Sequence, residues 1–228
     1  MDELIDDMLA KGPEAELVEA FGLALPSLVI CRLLGVPYAE HEFFQSRTRL
    51  IVSATEDPAA GYTAMTEIRS FLDELVTAAE RAPKDDLLGR LVTGGQLTHQ
   101  ELVGVIFLLL VAGHETTANM IPLGVLTLLR HPAQLAALRA DPAGWPMAVE
   151  ELLRYHSVVD WVAFDRVSTR DQEIGGQRVG KGEGIFVLGA SANRDERVPG
   201  LRVTVADEDV PAKYDGVIFG LKALPVAW

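Results

Sequence analysis

The sequence predicts a mainly α-helical protein with a small β portion, and three observations carry that expectation. Apolar residues recur three and four apart through the first two-thirds of the chain. Proline and glycine punctuate these stretches where helices end. Near the end the pattern gives way to short apolar runs around glycines, as in strands and tight turns. A helical part over 1–156 and a β-rich part over 157–228 follow, within one domain that has no internal repeat or low-complexity tract.

In chain order, Leu4, Ile5, Met8 and Leu9 share one face of an amphipathic helix. No capping residue precedes that helix, so the chain reads as starting inside it. Pro26 and Ser27 open the apolar run 28–34, which contains Cys31, and Gly35 followed by Pro37 closes it. Further helices are expected over 41–55, 62–81 and 85–92. Thr98 and Glu101 form a capping box, in which each side chain satisfies a backbone donor of the other's turn. The helix behind it extends to Arg130, about 50 Å at 1.5 Å per residue. Pro122 cannot donate to the Ala118 carbonyl, which predicts a kink. A helix over 146–155 comes next. Two strands around Gly175-Gly176 follow over 173–179, then a strand over 184–188, and a hairpin or pair of short strands over 216–221 and 224–226.

The bulk properties exclude several function classes. With 228 residues, 49% of them hydrophobic, the chain can bury a sizeable core. A net charge of -13 and a pI near 4.8 oppose nucleic acid, whose phosphates require a clustered basic face, and disfavour anionic membranes likewise. The apolar run 103–113 is shorter than the roughly 18–20 residues that span a bilayer. The first residues, rich in Asp and Glu, do not form a secretory signal, so a cytoplasmic protein is expected. One cysteine excludes an intrachain disulfide.

Two short stretches could carry chemistry. Ala112-Gly113-His114-Glu115-Thr116-Thr117 puts an acid and two hydroxyls into an otherwise apolar helix, where polar groups are costly unless partnered. Taken alone, it is equally a helix turning to solvent, or threonines bonding back to carbonyls one turn earlier. Glu151 and Arg154, three apart, share a helical face, and such a pair is ordinarily solvated. His114-Glu115 is not a zinc-protease motif, because Ala118 stands where the second histidine is required. No metal site is expected: His41, His99, His131 and His156 lack ligand spacing. There is no phosphate-binding glycine loop or nucleophile elbow.

Read together, these stretches, then Asp165-Arg166 and Ala192-Asn193-Arg194-Asp195, resemble the second half of a cytochrome P450 of the soluble bacterial type. Leu25–Cys31, Leu33–Tyr38, Asp85–Leu88 and Leu224–Trp228 extend that resemblance along nearly the whole chain. It implies a partial cytochrome P450 fold around a long oxygen-activation helix, a haem cofactor, a small apolar substrate and a ferredoxin-type electron donor. Glu115 and Thr116 then match the acid and alcohol that route protons to dioxygen. Ala112 and Gly113 match the small residues where the helix crosses the haem, and Arg166 a cation pairing a haem propionate. Glu151 and Arg154 match an internal structural ion pair. Val162, Phe164, Val217 and Ile218 fall where the family lines its substrate pocket.

The family's iron ligand is a cysteine thiolate. Its loop belongs between Asp195 and Pro199-Gly200-Leu201-Arg202, where only Glu196, Arg197 and Val198 stand. The sequence therefore reads as an incomplete P450 domain, missing its N-terminal elements and carrying an internal deletion near 195–199. Cys31, in an apolar helix without a loop glycine near it, does not replace the ligand and is expected to pack. Two functions remain. One is haem-dependent monooxygenation of an apolar molecule, an activity lost from this chain. The other is a non-catalytic remnant, at most a helical interaction module.

Overall fold

A computed structural model describes residues 1–52, 57–159 and 166–195, and the backbone of 212–213, 220–221 and 225–227. Local chemistry sets most helix ends. α1 (Asp2–Ala10) precedes β1 (Glu14–Glu16) and a single π-helical stretch, Val18–Leu23. α2 (Ala24–Leu34) stops at Gly35, whose φ of 69° is the left-handed conformation that glycine adopts without steric cost. α3 (His41–Val52) is followed by α4 (Pro58–Arg81), which begins four residues before the expected 62. Asp57 caps it by accepting from the Ala59 amide, and Pro58 occupies the first turn, where a missing N–H costs nothing. α5 (Leu87–Gly94) is capped by Asp86, which accepts from the Gly89 amide. The capping box at Thr98 and Glu101 is formed and starts α6 (His99–Arg130).

α6 is the axis of the fold and packs against the π-helix, α2, α3, α4 and α5. Its 32 residues satisfy the length and composition of a bilayer-crossing helix, more than the run 103–113 suggests. Here its first half is the centre of the main core instead. Val103, Ile106 and Leu110 meet Ile30, Cys31 and Leu34 of α2, Ile68, Leu72 and Val76 of α4, and Leu88 of α5. Removing each such side chain from water contributes about 1.5–3 kcal/mol. A second cluster joins Leu17, Val18, Val52, Leu123 and Val158.

α6 continues through Pro122 without a break in its helical assignment. The π-helix lies against this point. A Cβ on Gly22 would stand 3.2 Å from the Ala118 carbonyl oxygen and 3.4 Å from the Pro122 Cδ. Gly22 thus allows backbone to approach the carbonyl that Pro122 leaves without a helical donor. The N-terminus of α6 is clamped to α4: His99 sets Nε2 3.0 Å from Asp73 and Nδ1 3.0 Å from Glu80. Hydrogen bonds to Asp73 and then Glu80 raise the His99 pKa, so the charged clamp holds at low pH and weakens as pH rises through that raised value.

Several expectations are corrected. α7 (Pro132–Ala140) adds a helix to those expected, and the chain enters it through Pro132 directly after α6. α8 (Trp145–His156) starts one residue before the expected 146. β2 (Arg166–Val167) pairs antiparallel with β5 (Gly184–Ile185), and the expected strand over 184–188 ends at Ile185 because Gly189 opens the short helix α9 (Gly189–Asn193). β3 (Gln172–Ile174) and β4 (Gln177–Val179) form the expected hairpin around Gly175 and Gly176, both at positive φ. At the end the expected pair of short strands forms, but the two are not a hairpin with each other. β6 (Ala212–Lys213) pairs with β7 (Gly220–Leu221), and β8 (Pro225–Ala227) crosses the molecule to pair with β1.

Packing density dictates where substitution is costly. Ile106→Ala, at a position with no solvent exposure, is expected to destabilise by about 2–5 kcal/mol in urea unfolding. Leu108→Ala, two residues away and 65% exposed, should change stability by less than about 0.5 kcal/mol.

Candidate functional site

The middle of α6 separates its polar residues onto two faces, as the 100° step between successive helical residues requires. His114, Glu115, Ala118 and Asn119 are buried against the N-terminal helices, whereas Ala112, Gly113 and Thr117 are exposed. Thr116 lies at the border. Its hydroxyl donates to the Ala112 carbonyl at 2.6 Å, so its single proton is engaged within the helix. Asn119 Nδ2 donates to the Glu115 carbonyl at 2.6 Å. The Glu115 side chain is 4% exposed, with Oε1 3.7 Å from His114 Nδ1.

The other face of α6 forms one wall of an open groove of about 750 Å³. Thr116, Thr117, Ile121, Gly124 and Leu128 line it at helical spacing. α8 supplies Val149, Leu152 and Leu153 opposite, and Ser157, Val158, Gly189 and Asn193 close one end. Among the described residues the lining is largely apolar, with polar side chains from the two threonines, Ser157 and Asn193.

Charged hydrogen bonds fix that end. The Arg154 guanidinium grips Glu151 as a fork, at 2.6 Å from Nε and 2.5 Å from the terminal nitrogen, and its third nitrogen donates to the Asn193 carbonyl. This hydrogen-bonded guanidinium holds the Glu151 carboxyl below its ordinary pKa, and the carboxylate raises that of Arg154. Asn193 Nδ2 donates to Ser157 Oγ at 2.9 Å, and Ser157 Oγ donates to the Arg154 carbonyl at 3.1 Å. Ser157 is the one non-glycine residue at positive φ among the described residues, at 43°. Arg194 donates twice to the Tyr155 carbonyl and lies 5.0 Å above the Tyr155 ring. α8 and α9 therefore form one wall unit.

Of the residues singled out from sequence, Thr116 lines the groove and Glu151 and Arg154 brace its end. Glu115 is on the neighbouring buried face. Ala112 and Gly113 are one turn before the groove lining, and a Cβ on Gly113 would meet Ile30 of α2 at 3.5 Å. Arg166 is in β2 opposite Ile185 and is not among the lining residues. Val162, Phe164, Val217 and Ile218 lie outside the described residues. The sequence reading gave Thr117 no role of its own and missed Ile121, Gly124 and Leu128, although the spacing of three and four from Thr117 onward would have marked the stripe.

The fold and the groove define the class. The crystal structure of a mycinamicin VIII C21 methyl hydroxylase, MycCI from Micromonospora griseorubida, superposes with a TM-score of 0.87 at 35% identity, covering all of this chain and 71% of that one. Cytochrome P450 MoxA from Nonomuraea recticatena superposes with a TM-score of 0.80 at 42% identity, covering all of this chain and 69% of that one. Both place the chain among haem-dependent monooxygenase folds. The curated relative cytochrome P450-SU2 of Streptomyces griseolus is 38% identical over 274 residues, all of this chain and 68% of the relative. The chain belongs to the cytochrome P450 family. Cytochrome P450 105A3 of Streptomyces carbophilus is 51% identical over 198 residues, 85% of this chain. The chain spans about half the length of that relative, 48%. No family model matches.

The relatives are haem proteins, and the residues here meet that cofactor only in part. An apolar groove beside small and hydroxyl side chains suits a flat, largely apolar macrocycle. The donor set does not suit a haem thiolate. Cys31, the one cysteine in the chain, is 2% exposed within the main core and does not line the groove. Burial, assisted by Glu40, pushes its thiol pKa up, away from the thiolate form that ligates metals. Among the described residues, no group of three His, Cys, Asp or Glu could hold a metal ion.

Arg154→Lys tests the brace. An ammonium cannot grip both Glu151 oxygens and the Asn193 carbonyl in one plane. Hydrogen exchange at the amides of 190–195 should accelerate by at least about tenfold, the equivalent of one lost charge-assisted bond, while amides of α4 are unchanged.

Proposed function

We propose that this chain derives from a monooxygenase that hydroxylates a small apolar molecule with dioxygen and electrons from a ferredoxin-type donor, in the cytoplasm, and that as it stands it does not turn over. The observation that carries this is the pairing of a P450 groove with a single, core-buried cysteine. Haem, when bound by the family, supplies oxygen activation through a thiolate-held iron. This chain offers no such sulfur.

Its own residues retain recognisable tasks. Thr116 presents a hydroxyl at the groove edge, and Glu115 keeps a carboxyl one residue away on the buried side, the acid and alcohol of a proton relay. Ala112 and Gly113 keep the helix surface low beside the groove, and Arg166 serves as the propionate cation. Val162, Phe164, Val217 and Ile218 belong to the substrate side. Glu151 and Arg154 hold the wall and do no chemistry.

The missing sulfur is read as an internal deletion near 195–199 within a single domain over 1–228. The alignment to P450-SU2 supports this reading, because it extends over 274 residues whereas the chain has 228. Several tens of the relative's residues therefore have no counterpart here. The competing reading, a helical interaction module, is favoured by the exposed apolar side chains along the groove, Leu153 at 47% and Val149 at 49%.

Reduced protein incubated with haem and carbon monoxide is expected to lack the Soret band of a thiolate ligand. Inserting the corresponding segment of P450-SU2 between Asp195 and Pro199 should produce that band. A thiolate-type band from the unaltered chain, or none after insertion into a folded protein, would overturn the proposal.

A further inference from the structure

His114 sits on the buried face of α6 with 2% exposure, and neither ring nitrogen has a hydrogen-bond partner. Two acceptors stand beside it. The Leu23 carbonyl, where the π-helix joins α2, slightly favours a protonated ring without hydrogen-bond geometry, and it already accepts from Ser27 Oγ at 2.7 Å. Ser27 in turn accepts from Gln45 of α3 at 2.8 Å, so this carbonyl ends a chain of bonds that runs between three elements. The Glu115 carboxyl lies 3.7 Å from Nδ1. The charged groups that act on the ring are Glu115 on its own helix, and Arg49 and His41 on α3; from the π-helix and α2 the ring meets the Leu23 carbonyl.

A neutral imidazole at such a position loses only its water contacts. A proton adds a charge to a site with no solvent and with the Arg49 guanidinium on the facing helix. Glu115 offsets part of this, but at 3.7 Å it stands beyond hydrogen-bond length from a ring whose nitrogens have no other partner, and it does not recover the desolvation of the charged imidazole. The cheaper response is separation: the helices facing the ring withdraw and admit water. The segment that would move is irregular, since the π-helix Val18–Leu23 contains Gly22 at the close approach to Ala118 and Pro122.

We propose that His114 is an acid-sensitive latch, whose protonation releases the π-helix and α2 from the middle of α6. Burial, the largest influence, lowers the pKa of the folded ring below its ordinary value, with Arg49 and His41 acting in the same direction and Glu115 opposing. The unfolded or open chain then binds the proton more tightly. Stability is complete above the ordinary histidine value of about 6.5 and declines as pH falls from there toward the depressed folded value. The proposal is independent of haem.

Hydrogen exchange at amides 18–34 of the intact chain, corrected for the intrinsic effect of pH, is expected to rise severalfold, with a ceiling of about tenfold for one proton, between pH 7.5 and pH 5.5 and to recover on return. His114→Phe fills the space with a ring that cannot protonate and should hold the change below twofold. Arg49→Met removes an exposed cation, eases protonation of the folded ring and should move the opening to lower pH. Should His114→Phe fail to fold, the ring resonance of His114 in the unaltered chain decides. Titration in step with opening supports the latch, whereas titration near pH 6.5 with amides 18–34 still protected overturns it. Equal opening in His114→Phe and the unaltered chain overturns it too.

Discussion

The structure depends on α6 serving two environments along one rigid rod. Its first half is surrounded, with Ile106 and Leu110 in contact with α2, α4 and α5, and this core fixes the rod in place. Its second half is covered on one side by the π-helix and opens on the other to the groove. Everything positional about the site follows from this asymmetry. Residues one step apart around residue 115 are sent to opposite environments, one to core and one to groove, and neither can be moved without rotating the whole helix. The capping box at Thr98 and the His99 clamp at its start act on the same object, because they set where the rod begins.

The groove is stabilised differently from the core. The bracing of α8 to α9 is polar: Arg154 ties Glu151 to the Asn193 carbonyl, Asn193 reaches Ser157, and Arg194 returns to Tyr155. The links from one helix to the other are short in space and long in sequence, joining residues nearly forty apart. Wall and floor are therefore decoupled.

Where local chemistry decides structure, the sequence was readable. Thr98 with Glu101, Gly35 and the Gly175-Gly176 turn each act through one or two backbone groups, and the elements they delimit stand where expected. What was not readable depends on distant contacts. The π-helix at 18–23 follows no local signal; it packs against α6 around Pro122, a residue one hundred positions away. α7 was overlooked because its alanine-rich face buries nothing fully, leaving no strong apolar period. The partner of β8 is β1, which no hairpin rule finds. In the site, Thr116 and the Glu151–Arg154 pair were singled out by the order of their stretches along the chain, because spacing alone left each of them ambiguous. The opposing wall was not, since Val149 and Leu153 look like ordinary surface residues until α9 is folded beside them.

The union of β1 with β8 has a consequence for how the chain acquires its shape. Residues 14–16 wait for residues 225–227, so a ribosome must deliver the whole stretch between them before this ladder can close. Loop-closure entropy grows only logarithmically with length, which keeps the equilibrium cost modest, but a contact of such high order forms late. Helical packing around α6 needs no such wait, which makes the two-stranded seam a late contact beside it.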